Sequence, residues 1–224
     1  MFSVGEGNDS NRNIPQTALY LGAEPVSFDY QGGMDGVTNP GSYEFDGTVV
    51  RLSFETPFIN LSIGSGGRLT GIDDVSYFDA GLQATQRLHL ARAPDQAVRV
   101  SIPLQLKSTV TSVVNDEELF QSQSQFQQGT LTFGGGISIG AQLSERSRFA
   151  VAAIPNYGFS FATGGTFGGS IFDMDTEARF YLDRLFGDIG ISAGYNYIYK
   201  NYDIDRDRFD YTLGGHRFQI GITF

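Results

Sequence analysis

The sequence predicts an all-β chain, a closed antiparallel transmembrane barrel of ten strands in up-and-down order, and three observations predict it. From about Thr17 to the end, the chain divides into ten stretches in which apolar residues alternate with polar or small ones. That is the period of a strand with a different environment on each face. Connections alternate between short turns, at 56–57, 93–96, 144–147 and 183–187, and generally longer loops rich in Gly, Asp, Asn and Ser. Finally, the apolar faces are long and nearly free of charge, while the opposite faces include Arg51, Arg87, Arg99, Lys107, Glu177 and Arg217. A soluble barrel would fill its interior with the apolar face and show its charges to water. The reverse assignment, lipid outside and a polar lumen inside, suits a membrane barrel, whose even strand count places both termini on one side. A secreted lipocalin-like barrel or a sandwich is the competing fold.

Composition narrows the classes. The 224 residues include 29 Gly and 19 Phe but no Trp, and 18% are charged. A soluble domain averages about 25% charged residues and about 7% Gly. No stretch approaches the run of about 20 apolar residues that a membrane helix requires. A formal charge of −10, with 15 scattered Lys and Arg, excludes a nucleic-acid footprint. Absence of cysteine fits an envelope compartment. Met1-Phe2-Ser3-Val4-Gly5-Glu6 has neither the basic start nor the apolar core of a secretory signal, so Met1 reads as an added start on a mature chain. Residues 1–16 are polar and without period, a flexible amino-terminal segment, and 17–224 form the barrel domain.

The first strand, Thr17 to Tyr30, carries Leu19 and Leu21 on one face and Val26, Phe28 and Tyr30 on the other, and a bulge near Pro25 would reconcile the halves. The second ends near Glu55 with Val50, Leu52 and Phe54 outward. Thr56-Pro57 turns it into the third, with Ile59, Leu61 and Ile63 outward. The fourth sets Phe78, Ala80, Leu82, Ala84, Leu88 and Leu90 against Asp79, Gln83, Thr85, Arg87 and His89. The fifth alternates most cleanly, Val98, Val100, Ile102, Leu104 and Leu106 against Arg99, Ser101, Gln105 and Lys107. Leu131, Phe133, Ile137, Ile139 and Leu143 mark the sixth, and Phe149, Val151, Ala153, Tyr157, Phe159 and Phe161 the seventh. The eighth sets Phe172, Met174, Ala178, Phe180 and Leu182 against Asp173, Asp175, Glu177 and Arg179. The ninth turns Ile189, Ile191, Ala193, Tyr195 and Tyr197 outward. Pro103 and Pro155 fall inside strands, which ideal barrels avoid.

The tenth strand ends the chain, with Phe218, Ile220, Ile222 and Phe224 alternating with Gln219, Gly221 and Thr223. This stretch resembles the carboxy-terminal targeting strand of bacterial outer-membrane barrels, which alternates in this way and usually finishes on phenylalanine. The chain from Thr17 to Phe224 is similar in pattern to the small outer-membrane β-barrels of Gram-negative bacteria, which include porin-like channels, adhesion barrels, proteases and lipid-A-modifying enzymes. The resemblance implies an outer-membrane location, periplasmic short turns and termini, surrounding outer-membrane lipid, insertion by the barrel assembly machinery, and a monomer. It also implies aromatic girdles, with Phe54, Phe58, Phe149, Phe180 and Phe224 at the periplasmic rim and Tyr30, Tyr195, Tyr197, Phe161 and Tyr211 at the outer rim.

Candidate chemistry centres on the lumen. Arg51, Arg87, Arg99, Glu177, Arg179 and Asp188 fall in the periplasmic half, Asp173 and Asp175 somewhat higher, and Arg217 faces inward from the last strand. They are expected to form a cross-lumen ionic layer, either a plug of paired charges or the constriction of a narrow pore. Gly134, Gly136, Ser138, Gly140, Ala150, Ala152, Gly158 and Ser160 leave room for these long side chains. His89 faces the lumen and His216 faces outward, so the two cannot share a metal or a proton. The omptin proteases are ten-stranded too but place Asp and His at the outer rim, and lipid-A deacylase barrels carry an outer-face His and Ser motif absent around His216. No enzyme, cofactor or metal is expected. Asp203, Asp205 and Asp207 lie in an external loop without the Gly and Glu of a calcium loop, and Phe120 lies in a Gln/Ser-rich one; both are candidate contact surfaces. Two functions follow: a narrow charge-lined conduit for ions or very small solutes, or a closed barrel whose external loops bind a partner protein, host surface or lipopolysaccharide.

Overall fold

The computed structural model describes residues 17–31, 42–90, 97–115, 125–162, 167–203 and 211–224. The chain forms a closed barrel of ten antiparallel strands. They are β1 (Ala18–Gln31), β2 (Ser42–Glu55), β3 (Ile59–Gly66), β4 (Val75–His89) and β5 (Val98–Asn115). Next come β6, in two segments (Gln125–Gly135 and Ile137–Gln142), β7 (Ser147–Ala162), β8 (Phe167–Phe186), β9 (Ile189–Asp203) and β10 (Tyr211–Thr223). One 3-10 turn, Arg68–Thr70, joins β3 to β4.

Each strand pairs with its sequence neighbour, and β1 pairs with β10 to close the ring. Paired residues followed round the ring from Ala18 run through Glu55, Asn60, Gln83, Lys107, Thr132, Gly158, Ile171, Tyr202 and Tyr211, which pairs with Tyr30. One circuit thus climbs β1 from Ala18 to Tyr30, the stagger that tilts barrel strands by about 40°.

Polarity is inverted relative to a soluble fold. Leu21, Leu52, Ile63, Leu82, Leu106, Phe133, Phe159, Phe180, Ile191 and Ile220, one from each strand, are exposed on the outer wall. Arg51, Gln105, Thr132, Asn156, Asp173 and Gln219 are buried in the lumen. The strand ladders run round the closed ring, as hydrocarbon surroundings demand of a spanning wall. Phe54, Phe58, Phe149, Phe180 and Phe224 stand exposed toward the turn end, as expected of a girdle. Near the middle of β9 Tyr195 and Tyr197 pack around His216, with ring centroids at 6.1 and 5.1 Å. The side chains of Tyr30, Phe161 and Tyr211 and the whole of residues 1–16 lie outside what is described.

Turns fit their residues. In the Thr56-Pro57-Phe58 turn the Thr56 hydroxyl accepts from the Ile59 N–H at 3.0 Å, and the Thr56 N–H donates to the Ile59 carbonyl at 2.7 Å. Gly187 supplies the positive φ of +67° that the tight β8–β9 turn needs. Proline accounts for the break in β6. The Gly136 N–H donates to the Pro103 carbonyl at 3.1 Å, but Pro103 has no N–H to return, so the ladder lapses for one residue.

One expectation is corrected. There is no bulge at Pro25, because the register of β1 with β2 is continuous from Ala18–Glu55 to Gln31–Ser42. Pro25 sits outward against Thr48, and Val26 and Phe28 therefore point into the lumen.

Candidate functional site

The lumen is built in tiers. At the turn end Arg148 on β7 donates to Asp183 on β8 at 2.9 Å and lies over the Tyr181 ring at 4.1 Å. Above it Arg179 on β8 reaches across to β1 and β2. Its Nη2 donates to Glu55 Oε1 at 2.6 Å, Nη1 donates to the same carboxylate and to the Tyr20 hydroxyl at 3.2 Å, and Glu177 lies 3.0 Å away. Arg87 donates to the Pro57 carbonyl at 3.4 Å.

In the next tier Glu24 accepts from Arg51 at 2.7 Å and from Arg217 at 2.9 Å. Arg51 also makes a two-pronged contact with Asp79, 2.5 Å on each side. The fork of a guanidinium fits a carboxylate in this way, which fixes geometry as well as charge. Lys107 on β5 spans to β8, at 2.8 Å from Asp173 and 2.9 Å from Asp175.

Toward the loop end the lumen becomes apolar. Val26, Phe28, Phe45, Val49, Tyr77, Val113, Phe126, Ile171, Tyr202 and Leu213, from eight of the ten strands, form one buried cluster. Phe28 and Phe126 stand on β1 and β6, opposite each other in the ring, yet their ring centroids are 5.1 Å apart. Below this layer a cavity of about 920 Å³ runs from Pro57, Phe58 and His89 up to Lys200 and Leu213.

The charges expected in one cross-lumen layer lie at different depths, in separate tiers. Arg51, Asp173, Asp175, Glu177, Arg179 and Arg217 all take part, and Arg87 and Arg99 line the cavity near its mouth. Asp188 does not belong to it: it is exposed in the Gly187-Asp188 turn, beyond the end of the barrel wall. Glu24, Glu55, Asp79, Arg148 and Asp183 are members that sequence reasoning left out. Alternation from Leu19 and Leu21 already placed Glu24 inward, but nothing local pointed to its partners, 27 and 193 residues away. The small residues of β6 and β7 have a further role, since a Cβ on Gly158 would lie 2.0 Å from the Leu131 carbonyl oxygen. These strands approach too closely for a side chain there.

On the outer wall His216 faces away from the lumen, as expected, with Nδ1 2.7 Å from the Tyr195 hydroxyl. Phe218, Ile220, Ile222 and Phe224 are all exposed on the same wall. Asp203 ends β9, and Phe120, Asp205 and Asp207 lie outside the described residues. Among the described residues no group of His, Cys, Asp and Glu is arranged to hold a metal ion.

No family model and no curated protein matches this chain. Solved structures with a similar architecture are bacterial outer-membrane barrels. The outer membrane protease OmpT from Escherichia coli shares 7% identity over 94% of this chain and 97% of its own, with a TM-score of 0.40. The attachment invasion locus protein Ail of Yersinia pestis shares 10% over 94% and 100%, at 0.28. The toluene transporter TodX of Pseudomonas putida shares 8% over 93% and 88%, at 0.25.

Proposed function

We propose that this protein is an integral barrel of a bacterial outer membrane that keeps its lumen closed and serves as an anchor, presenting its loop end to a partner outside the cell. The short turns and both termini then face the periplasm, as in outer-membrane barrels generally. The contact between Phe28 and Phe126 carries this reading, because it spans the ring inside an apolar layer drawn from eight strands. Such a layer excludes water and hydrated ions, whose transfer into apolar surroundings is costly. A second reading, a narrow charge-lined conduit for ions or very small solutes, draws on the cavity beneath and its Arg87 and Arg99.

Planar-bilayer conductance separates the two. The refolded wild type is expected to insert silently, and Phe28→Ala with Phe126→Ala to give discrete steps whose size changes when Arg87 and Arg99 are neutralised. Steps from the wild type that respond to Arg87→Gln and Arg99→Gln would replace the anchor by the conduit.

A further inference from the structure

We propose that the cavity beneath the apolar layer is a binding pocket for a small oxyanion-bearing ligand, a carboxylate or a phosphate compound, admitted from the turn end of the barrel. At about 920 Å³ the space has the size of a pocket for one small molecule. Of the 15 Lys and Arg in the chain, eight line it, against five of the 25 Asp and Glu. With Asp173 and Asp183, which pair with the lining Lys107 and Arg148, eight cations meet seven carboxylates, a small positive excess in a protein of formal charge −10.

Internal pairing takes up five of the eight cations. Glu24 and Asp79 hold Arg51 and Arg217, Glu55 and Glu177 hold Arg179, Asp173 and Asp175 hold Lys107, and Asp183 holds Arg148. Of the remaining three lining cations Arg99 has an interaction of its own, and Arg87 and Lys200 stand outside these pairs among the described residues. Arg87, near the mouth, donates to a neutral carbonyl at 3.4 Å. Lys200 stands at the blind end, between Asp173 and Leu213 on the neighbouring strands, and the Asp173 carboxylate is already 2.8 Å from Lys107. Both are spare donors on the cavity wall, one at each end. Between them Ser138, Gly140, Ala150 and Ala152 leave one side of the cavity free of long side chains. A cation that only stabilised the barrel would be expected in a carboxylate pair like the other five; these two are placed to meet an anion from outside.

The direction of access rests on the topology proposed above, whereas the binding itself does not. The test is isothermal titration of the refolded full chain, in a neutral sugar detergent, with citrate, with inorganic pyrophosphate and with spermidine. Expected is saturable binding of citrate or pyrophosphate, the tighter one naming the carboxylate or phosphate class, and none of spermidine. Arg87→Gln and Lys200→Met should each weaken it roughly tenfold or more, as loss of a hydrogen bond to a charged group does. Gel mobility before and after boiling verifies that both variants are folded. The pocket is overturned if the folded wild type binds neither anion, if spermidine binds more tightly than both, or if affinity is unchanged in both variants. A protein that conducts and still binds would keep the pocket and lose the closed-barrel function.

Discussion

Glu24 is the residue on which the lumen turns. It is 2% exposed, sits on the first strand, and accepts hydrogen bonds from an arginine on each neighbouring strand. Its neutralisation would leave Arg51 with Asp79 alone and Arg217 with no carboxylate partner among the described residues. Breaking a buried pair from one side costs about 3 kcal/mol or more, because the remaining charge stays desolvated. Glu24→Gln is therefore expected to lower the unfolding free energy, read from urea titration in micelles, by that order and to move the midpoint down with it. Glu24→Gln combined with Arg217→Met should recover part of the loss, since the stranded cation is then gone. Equal midpoints for Glu24→Gln and the wild type would mean that lumen water solvates these groups well enough to replace the pairs.

The elements are specified by alternation, and the last strand shows it most plainly. Ile220 lies on the outer wall at 68% exposure, between Leu21 of β1 and Ala193 of β9. An arginine on the lipid face near the bilayer midplane costs about 2–4 kcal/mol. Ile220→Arg should thus reduce the folded yield in lipid vesicles, whereas Gln219→Arg, one residue along and facing the lumen, would test the opposite face of the same strand. The pairing of β6 with β7 is limited by backbone approach. Gly158→Val would drive a side chain into the Leu131 carbonyl, and loss of the compact band on an unboiled gel is the expected result.

At the scale of the whole molecule, closure is the property that matters. The β1–β10 pairing holds from Ala18–Thr223 to Tyr30–Tyr211, so the ring has no free edge. Barrels of this kind resist detergent until heated, and a shift in gel mobility on boiling is the expected outcome for the wild type. A single band unaffected by heat would contradict a stable closed barrel. The lumen also divides by depth: an apolar layer toward the loops, and beneath it paired charges around a cavity that runs to the turns. Anchor and pocket can coexist because they occupy opposite ends.

The sequence by itself determined the strand count, the short-turn end, the outward faces and most lumen-facing charges, because a period of two is a local property that neighbouring residues report. Ile59, Leu61 and Ile63 on β3 or Val98 and Leu106 on β5 need nothing beyond their own strand to be placed. What only the tertiary structure decided is which inward residues meet. Val26 and Phe28 invited a bulge because an apolar pair facing a polar lumen looks like an error of parity. It is no error once β6 brings Phe126 across the ring to cover them. Likewise Arg179 finds Glu55, and Arg217 finds Glu24, only when the barrel closes. Contacts across a lumen depend on stagger and on the ring as a whole, and no window of sequence contains either.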